Sequence, residues 1–240
     1  MWRLPWKLPA FLAWLPHYFL PWNVLFMASG LAFWVWLMPS TETLQTLAPG
    51  WIAGLWLINA VAVLVFYGTA EYRLYVQRAQ EDRYKFNPAF PADRKIKAFF
   101  KGSQNLENAL LTIFSGVTIW ILIQAVVLWG WANGVGNWIA FADNPIYLIA
   151  VALLVPVIHQ AHFYAIHRLI HTPWLYKHVH SIHHKSINPS PWSSLAMHPL
   201  EHALYFASML WHLVIPSHPA IALYQLHVAG FGAIPGHTGF

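Results

Sequence analysis

The stretch Ile146–Ile166 reads IYLIAVALLVPVIHQAHFYAI and joins two different patterns in one segment. Its first part, through Ile158, is apolar, and the whole stretch has the length of about 17–25 residues that a helix needs to cross a bilayer. Its second part brings in three polar side chains and runs into His167-Arg-Leu-Ile-His171. Ionisable side chains are costly in a membrane and mark functional sites there. We therefore predict a membrane helix with a ligand site at its end.

The composition of the whole chain agrees with a membrane location. Of its 240 residues, 58% are hydrophobic and 9% are charged, whereas soluble domains have about 25% charged residues. The sequence predicts an all-α integral membrane bundle of about four transmembrane helices, with a re-entrant or half-span pair and a histidine-rich metal-binding cap. The other predicted spans are Trp22–Met38, Trp51–Tyr67 and Leu110–Trp131, and the two short runs are Leu204–Ile215 and Ala220–Ile234.

The 13 Lys and Arg residues predict the orientation. With four spans all of them fall on one side, and the loops 39–50 and 132–145 contain none. The positive-inside rule makes that side the cytoplasm, so we place Met1, Arg3 and the histidine-rich segment there. The net charge of +5 then follows from topology, and we predict no nucleic-acid partner. In the long basic loop 68–109 we predict a helix over Glu71–Gln80 and a helix cap at Ser103.

Fourteen of the 15 histidines lie between His159 and His237. Spacings of four place two imidazoles on one helix face, and imidazole binds Fe, Zn, Cu and Ni well. Because one ion takes about four to six ligands, this number of histidines indicates two ions. The absence of Cys excludes thiolate sites. The candidate ligands are His167, His171, His180, His183, His184, His198 and His237, while His17, His159, His162, His212 and His218 are expected to be structural and His202 and His227 are undecided.

These boxes resemble the fatty acid hydroxylase/sterol desaturase superfamily, most closely its bacterial sterol desaturase members, over about residues 100–240. The resemblance implies a diiron oxygenase with two iron ions, for which zinc may substitute, that uses O₂ and external electrons to hydroxylate or desaturate a fatty acyl, sterol or related lipid. It also implies a donor such as cytochrome b5 or ferredoxin and a bacterial inner membrane. The matching elements are His162-Phe-Tyr-Ala-Ile-His167-Arg-Leu-Ile-His171, Leu175-Tyr-Lys, His180-Ser-Ile-His183-His184, His198-Pro-Leu-Glu and His237-Thr-Gly-Phe.

Two departures from the family pattern bear on the site. Many members have Asp where this chain has Gln160, which we expect to orient a ligand as a neutral partner. Members usually have a final HxxHH box after the element that His237 matches, and the sequence ends at Phe240. We therefore expect a truncation that omits the last ligand set. Accordingly we divide the chain into an N-terminal membrane region, 1–109, and a C-terminally incomplete catalytic region, 110–240.

Other functions remain open at this point. A bis-histidine haem protein would have single histidines deep in separate spans, which the clustering disfavours. A zinc-handling membrane protein would have polar groups in several spans, and the first three have few. A relative that binds metal without catalysing a reaction fits the same boxes. The shortage of carboxylates near the histidines also distinguishes the site from soluble diiron bundles, which use Glu and Glu-x-x-His.

Overall fold

The computed structural model describes residues 7–240, and within that range the secondary structure is helical without a strand. This confirms the predicted all-α class. Met1 and Arg3, on which part of the predicted orientation depends, lie outside the described residues. The principal helices are α1 (Leu8–Phe19), α2 (Trp22–Trp36), α3 (Pro49–Val76), α4 (Gln104–Ala132), α5 (Pro145–Ile170), α6 (Ser181–His184), α7 (Pro199–Phe206) and α8 (Pro219–Phe231).

Three helices, α3, α4 and α5, are long and apolar enough to cross a membrane. Each contains a predicted span, although α3 continues nine residues past Tyr67 and α4 begins six residues before Leu110. The predicted span Trp22–Met38 is different, because α2 has 15 residues and a crossing takes about 17–25. It reaches that length together with α1, which meets α2 at a bend of 40°. The structure therefore has three to four candidate spans, in agreement with the prediction.

The predicted half-span pair consists of short helices. The first run folds as α7 followed by a 3₁₀ turn, Ala207–Leu210, and a further turn, Trp211–Val214. The second folds as α8, which has 13 residues. Neither is among the helices that could cross a membrane, as the sequence predicted. Short turns elsewhere are Thr41–Leu44, Pro91–Asp93, Phe100–Gly102, Pro173–Leu175, Pro191–Leu195 and Ile234–Gly236.

The helix predicted over Glu71–Gln80 ends early, at Val76, so the prediction was wrong beyond that residue. The chain turns because Arg78 takes a left-handed conformation with φ of 50°, and its guanidinium pairs with Asp93 across the loop. The predicted cap is confirmed: Ser103 Oγ accepts a hydrogen bond from the Leu106 amide at the start of α4.

The core lies where α2 and α8 pack against α4. Gly30 allows α2 and α8 to approach closely, because a Cβ there would lie 2.7 Å from the Tyr224 backbone nitrogen. Small residues permit this kind of contact between membrane helices. Trp120 of α4 is fully buried against Phe231. Side chains from 1–109 and from 110–240 share one buried cluster, and the division into two regions stays a prediction.

Candidate metal centre

The end of α5 positions the first histidine pair. His167 and His171 are four residues apart and therefore lie on one face, with their Nε2 atoms 3.1 Å apart. The helix ends at Ile170, and Pro173 begins the next turn, as the sequence predicted. His162 is on the same helix but is used elsewhere: one ring nitrogen bonds the Leu204 carbonyl and the other accepts from Trp211.

A π-helical turn, Tyr176–His180, leads into α6 and brings up the second box. Such turns are rare and frequently occur at functional sites. His180 and His184 place their Nε2 atoms 3.0 Å apart. One ligand nitrogen from each of His167, His171 and His180 belongs to one group of donors, all within 4.8 Å of one another. Residues from two separate boxes therefore converge on one point.

The last candidate ligand comes from the far end of the chain. His237 follows the turn Ile234–Gly236, and its Nε2 lies 3.2 Å from Nε2 of His183. Its Nδ1 donates a hydrogen bond to the Ala233 carbonyl at 2.9 Å. The next residue, Thr238, is held through its carbonyl by the hydroxyl of Tyr75 in α3. The N-terminal membrane region thus contributes to placing His237.

The geometry of these three pairs fits a bound metal ion. Two ligand nitrogens about 2.1 Å from one ion and at a right angle to each other lie about 3.0 Å apart. The observed Nε2 separations are 3.0, 3.1 and 3.2 Å. In His237 the proton is on Nδ1, so its Nε2 lone pair points at its partner. Six histidines, hereafter the histidine cluster, meet in this way: His167, His171, His180, His183, His184 and His237.

Burial keeps the imidazoles of His180 and His183 in the form that binds metal. Removal from water, with added repulsion from neighbouring histidines, lowers the pKa of His183 to about 3. Removal from water also lowers the pKa of His180 to about 4. A metal ligand must be the neutral imidazole. The folded chain therefore presents neutral lone pairs at neutral pH, and the donor set suits iron as well as zinc.

Comparison with known proteins agrees with this geometry. Residues 152–240 match the model of the fatty acid hydroxylase family. This region is a member of the fatty acid hydroxylase/sterol desaturase superfamily. The match begins later than the expected residue 100, yet it includes all seven predicted ligands. From here on, residues 152–240 are called the fatty acid hydroxylase region.

Similar curated proteins come from fungi and rice. A Delta(7)-sterol 5(6)-desaturase of Aspergillus fumigatus is 44% identical over 55 residues, which is 23% of this chain and 17% of that protein. A very-long-chain aldehyde decarbonylase of Oryza sativa subsp. indica is 43% identical over 54 residues, 22% of this chain and 20% of the relative. A fatty acid hydroxylase of Mycosarcoma maydis is 32% identical over 97 residues, which is 39% of this chain and 25% of that protein.

The matches cover a small part of each relative. The chain spans about a fifth of the length of the first curated proteins it matches. No solved structure is similar to it. These relatives do not support the bacterial origin that the sequence suggested.

Two residues of the fatty acid hydroxylase region that were predicted to act at the metal site lie apart from the cluster. His198 caps α7, because its Nδ1 accepts a hydrogen bond from the Leu200 amide at 3.1 Å, and none of its described contacts reaches another histidine of the cluster. Its role as a ligand stays a prediction. Gln160 is exposed and makes no described hydrogen bond to His167, so the expected orienting contact is not formed.

The two undecided histidines are occupied by protein partners. His202 is fully buried, with one nitrogen at the Ser115 hydroxyl and the other at the Leu195 carbonyl. His227 bonds Ser29 through Nδ1 at 2.7 Å. Both contacts hold helices together, which is a structural role.

Sequence reasoning missed Glu201. Its Oε1 lies 2.8 Å from Nδ1 of His180, and both residues are almost completely buried. Carboxylates behind ligating histidines fix the ring and its tautomer. Its position next to His202 in the third box was visible in the sequence, but nothing there indicated that the carboxylate would face the second box.

Proposed function

We propose that this chain is a membrane-bound oxidoreductase that hydroxylates or desaturates a lipid with O₂ and external electrons, and that the histidine cluster binds two iron ions. The observation that supports this most directly is the convergence of six imidazoles in three Nε2 pairs at 3.0–3.2 Å. Membership of the fatty acid hydroxylase region in its superfamily supports the same assignment.

The cluster suggests how the ligands divide between the two ions. The group of donors from His167, His171 and His180 would hold the first ion. The pair of His183 and His237 would contribute to the second. His184 lies between them, since its ring is 4.5 Å from that of His180 and 5.8 Å from that of His183.

When bound, the iron pair supplies the oxidising power that removes hydrogen from an unactivated C–H bond. The protein's own residues orient the ligands and limit water. Glu201 supports the ring of His180 from behind, and the Ala233 carbonyl does the same for His237. Removing a group that hydrogen-bonds the second nitrogen of a ligating histidine typically costs 10–100-fold in metal affinity or activity.

An apolar cavity supports a lipid substrate. It has a volume of about 860 Å³ and lies between α2 and α3, with α8 at its back. Phe231 and Ile234 line it, and Ile234 is three residues before His237. Ligand cavities of about 300–1,000 Å³ are typical of small-molecule sites. The names of the relatives, which refer to a sterol, a fatty acid and a very-long-chain aldehyde, agree with this class.

The orientation and the partners belong to the proposal. We propose from the distribution of the basic residues and the positive-inside rule that the cluster faces the cytoplasm. There a soluble donor such as cytochrome b5 or ferredoxin can reach it. The proposed location in a bacterial inner membrane is based on the sequence resemblance alone.

The test combines metal analysis with lipid analysis. The protein is expressed in cells together with a cytochrome b5 or ferredoxin system, and lipid extracts are compared by mass spectrometry for a gain of one oxygen or a loss of two hydrogens. We expect such a product from the protein with the complete ligand set of the family pattern and none from its His183→Ala variant. A wild-type protein that binds two iron ions and yields no such product would leave a metal-binding, non-catalytic role.

A further inference from the structure

The apolar cavity between α2 and α3 has a charged residue at one end. Its walls follow α2 from Trp22 to Leu37 and α3 from Ile58 to Leu74. At about 1.5 Å per helical residue, the wall on α3 is roughly 24 Å long, which is most of a hydrocarbon core of about 30 Å. Among the described residues that line the cavity, Arg73 alone has a charged side chain. The cavity therefore has the form of a long apolar groove with one cationic end.

Three polar side chains deeper in this cavity are bonded to the protein. The Ser29 hydroxyl donates to the Phe26 carbonyl at 2.8 Å and lies 2.7 Å from Nδ1 of His227. The side-chain amide of Asn59 donates to the Leu55 carbonyl at 2.9 Å. A molecule in the cavity therefore meets a mainly apolar surface along its length and needs a polar group only at the charged end.

The guanidinium of Arg73 has donors to spare. Arg73 is exposed, and its one described hydrogen bond is to the Gln77 side chain at 3.1 Å, whereas a guanidinium has five N–H donors. No carboxylate of the described residues pairs with it, in contrast to Arg78, which pairs with Asp93. Thr69 lines the same cavity four residues earlier, so its hydroxyl lies on the same helix face. This end of the cavity offers a cation and a hydroxyl to an anionic group.

The charged end also lies on the same side of the helices as the histidine cluster. Arg73 is three residues before the end of α3 at Val76, and long cationic side chains at such positions keep their charge at the membrane surface. Tyr75, two residues after Arg73, bonds the carbonyl of Thr238, which directly follows His237. A lipid with its head group at Arg73 would therefore have that head group near the level of the cluster and its chain between α2 and α3.

We infer that this cavity binds a single-chain lipid with a carboxylate head group, and that Arg73 selects this lipid over a neutral one of the same length. Arginine and a carboxylate form two parallel hydrogen bonds. One cation matches the single charge of a carboxylate, whereas a phosphate monoester has a charge of about −1.5 to −2 at pH 7. This inference rests on the proposed function, because it assigns the acidic lipid as the molecule that reacts at the cluster.

The experiment compares two probes that differ only in the head group. Binding of tritiated hexadecanoic acid and hexadecanol to the purified protein in phosphatidylcholine nanodiscs is measured by scintillation proximity, with empty nanodiscs subtracted. The pH is about 8, at which a carboxylic acid is ionised. We expect the wild type to bind the acid about tenfold more tightly, because charge-assisted hydrogen bonds are roughly twice as strong as neutral ones. Added salt should reduce this preference, since Arg73 is exposed and exposed charges are screened.

Four variants separate recognition from folding and place the binding in this cavity. Arg73→Gln should bind both probes equally, and Arg73→Lys should keep part of the preference, because lysine retains the charge without the planar fork. Arg83→Gln removes the same charge from an exposed residue outside the cavity and should keep all of it. Ala62→Trp fills the cavity and should weaken the binding of both probes. Unfolding midpoints in detergent show that each variant is folded.

Several results would overturn the inference. They are a wild type without preference, a preference that survives in Arg73→Gln, and binding that Ala62→Trp leaves unchanged. Hexadecyl phosphate should bind no more tightly than hexadecanoic acid, and tighter binding of the phosphate would refute the carboxylate head group.

The outcomes also distinguish this inference from the proposed function. Lipid oxidation by a protein that does not prefer the acid refutes the role of Arg73 and leaves the oxidoreductase standing. If the protein with the complete ligand set prefers the acid but oxidises no lipid, the oxidoreductase is refuted and a binding site for acidic lipids remains.

Discussion

The Oε1 atom of Glu201 lies 2.8 Å from Nδ1 of His180, and the two side chains face each other in the interior of the protein. Burial raises the pKa of Glu201 to about 8, so the carboxyl group is neutral at pH 7 without a metal ion nearby. The second oxygen, Oε2, is buried and has no partner among the described residues. Glu201 therefore acts on His180 mainly through one hydrogen bond.

Glu201→Ala should lower iron affinity about 10–100-fold, because the ring of His180 loses the group that orients it. Glu201→Gln should lose less, since the amide oxygen can accept the same hydrogen bond from Nδ1 of His180. Iron retained against a chelator series measures the effect. Glu42→Gln changes an exposed carboxylate in the turn before α3 and serves as control. Equal losses in Glu201→Gln and Glu201→Ala would contradict a role in orientation.

A second prediction compares two histidines of one helix. His167→Ala should remove metal from the purified protein, because His167 contributes one nitrogen to the converging group. His162→Ala should retain the metal, because both nitrogens of His162 bond protein atoms, although it should lower stability. Metal content by mass spectrometry, normalised to protein, decides between them. Equal metal loss in both variants would show that the cluster is defined incorrectly.

Acid should release the metal at an unusually low pH. The neutral imidazole binds the metal, so protons begin to compete only as the pH falls toward the pKa of the metal-free imidazole. With the pKa of His180 lowered to about 4 and that of His183 to about 3, most of the metal should remain at about pH 5. Release starting near the ordinary histidine value of about 6.5 would contradict the burial argument. Iron content after dialysis at stepped pH gives the curve.

Packing between α2 and α8 can be tested at two glycines. Gly30→Ala should destabilise the protein by about 1–3 kcal/mol, because the new Cβ would meet the Tyr224 backbone. Gly54→Ala is the matched control, since a Cβ there has no neighbour within 4 Å and alanine favours a helix. Unfolding midpoints in detergent should fall for the first variant and hold or rise for the second. A stable Gly30→Ala protein would mean that the two helices separate easily.

Orientation can be measured because the chain has no cysteine. Thr43→Cys lies in the exposed turn between α2 and α3, and Lys177→Cys lies in the exposed turn after α5. The positive-inside rule puts them on opposite sides, so an impermeant maleimide applied to sealed vesicles should label one of them. Labelling of both from the same side would reject the arrangement of spans.

Much of this architecture could be predicted because the relevant signals are local. The apolar runs set three long helices, and four-residue spacings put His167 beside His171 and His180 beside His184. Pro173 correctly predicted the end of α5, and Pro199 correctly predicted the start of α7. In each case a few neighbouring residues contain the whole physical reason.

Other features depend on distant segments and could not be predicted. The partner of Glu201 comes from a helix 21 residues away, and no spacing indicates that meeting. His198 has the same chemistry as the ligands, yet it caps a helix because Pro199 starts α7 directly after it. The early end of α3 depends on the pairing of Arg78 with Asp93, which a helical pattern does not reveal.

The hydrogen bonds that hold residues 238 and 239 to α3 and its following loop have a consequence for protein engineering. The Tyr75 hydroxyl bonds the carbonyls of Pro189 and Thr238, and the Phe86 amide bonds the Gly239 carbonyl. A chimera that transplants residues 152–240 onto a foreign membrane anchor would lack all of these bonds. His237 would then be free to leave His183, so such a hybrid should lose its second ion while the first remains. Exchange of modules between these proteins therefore has to include α3 and its following loop.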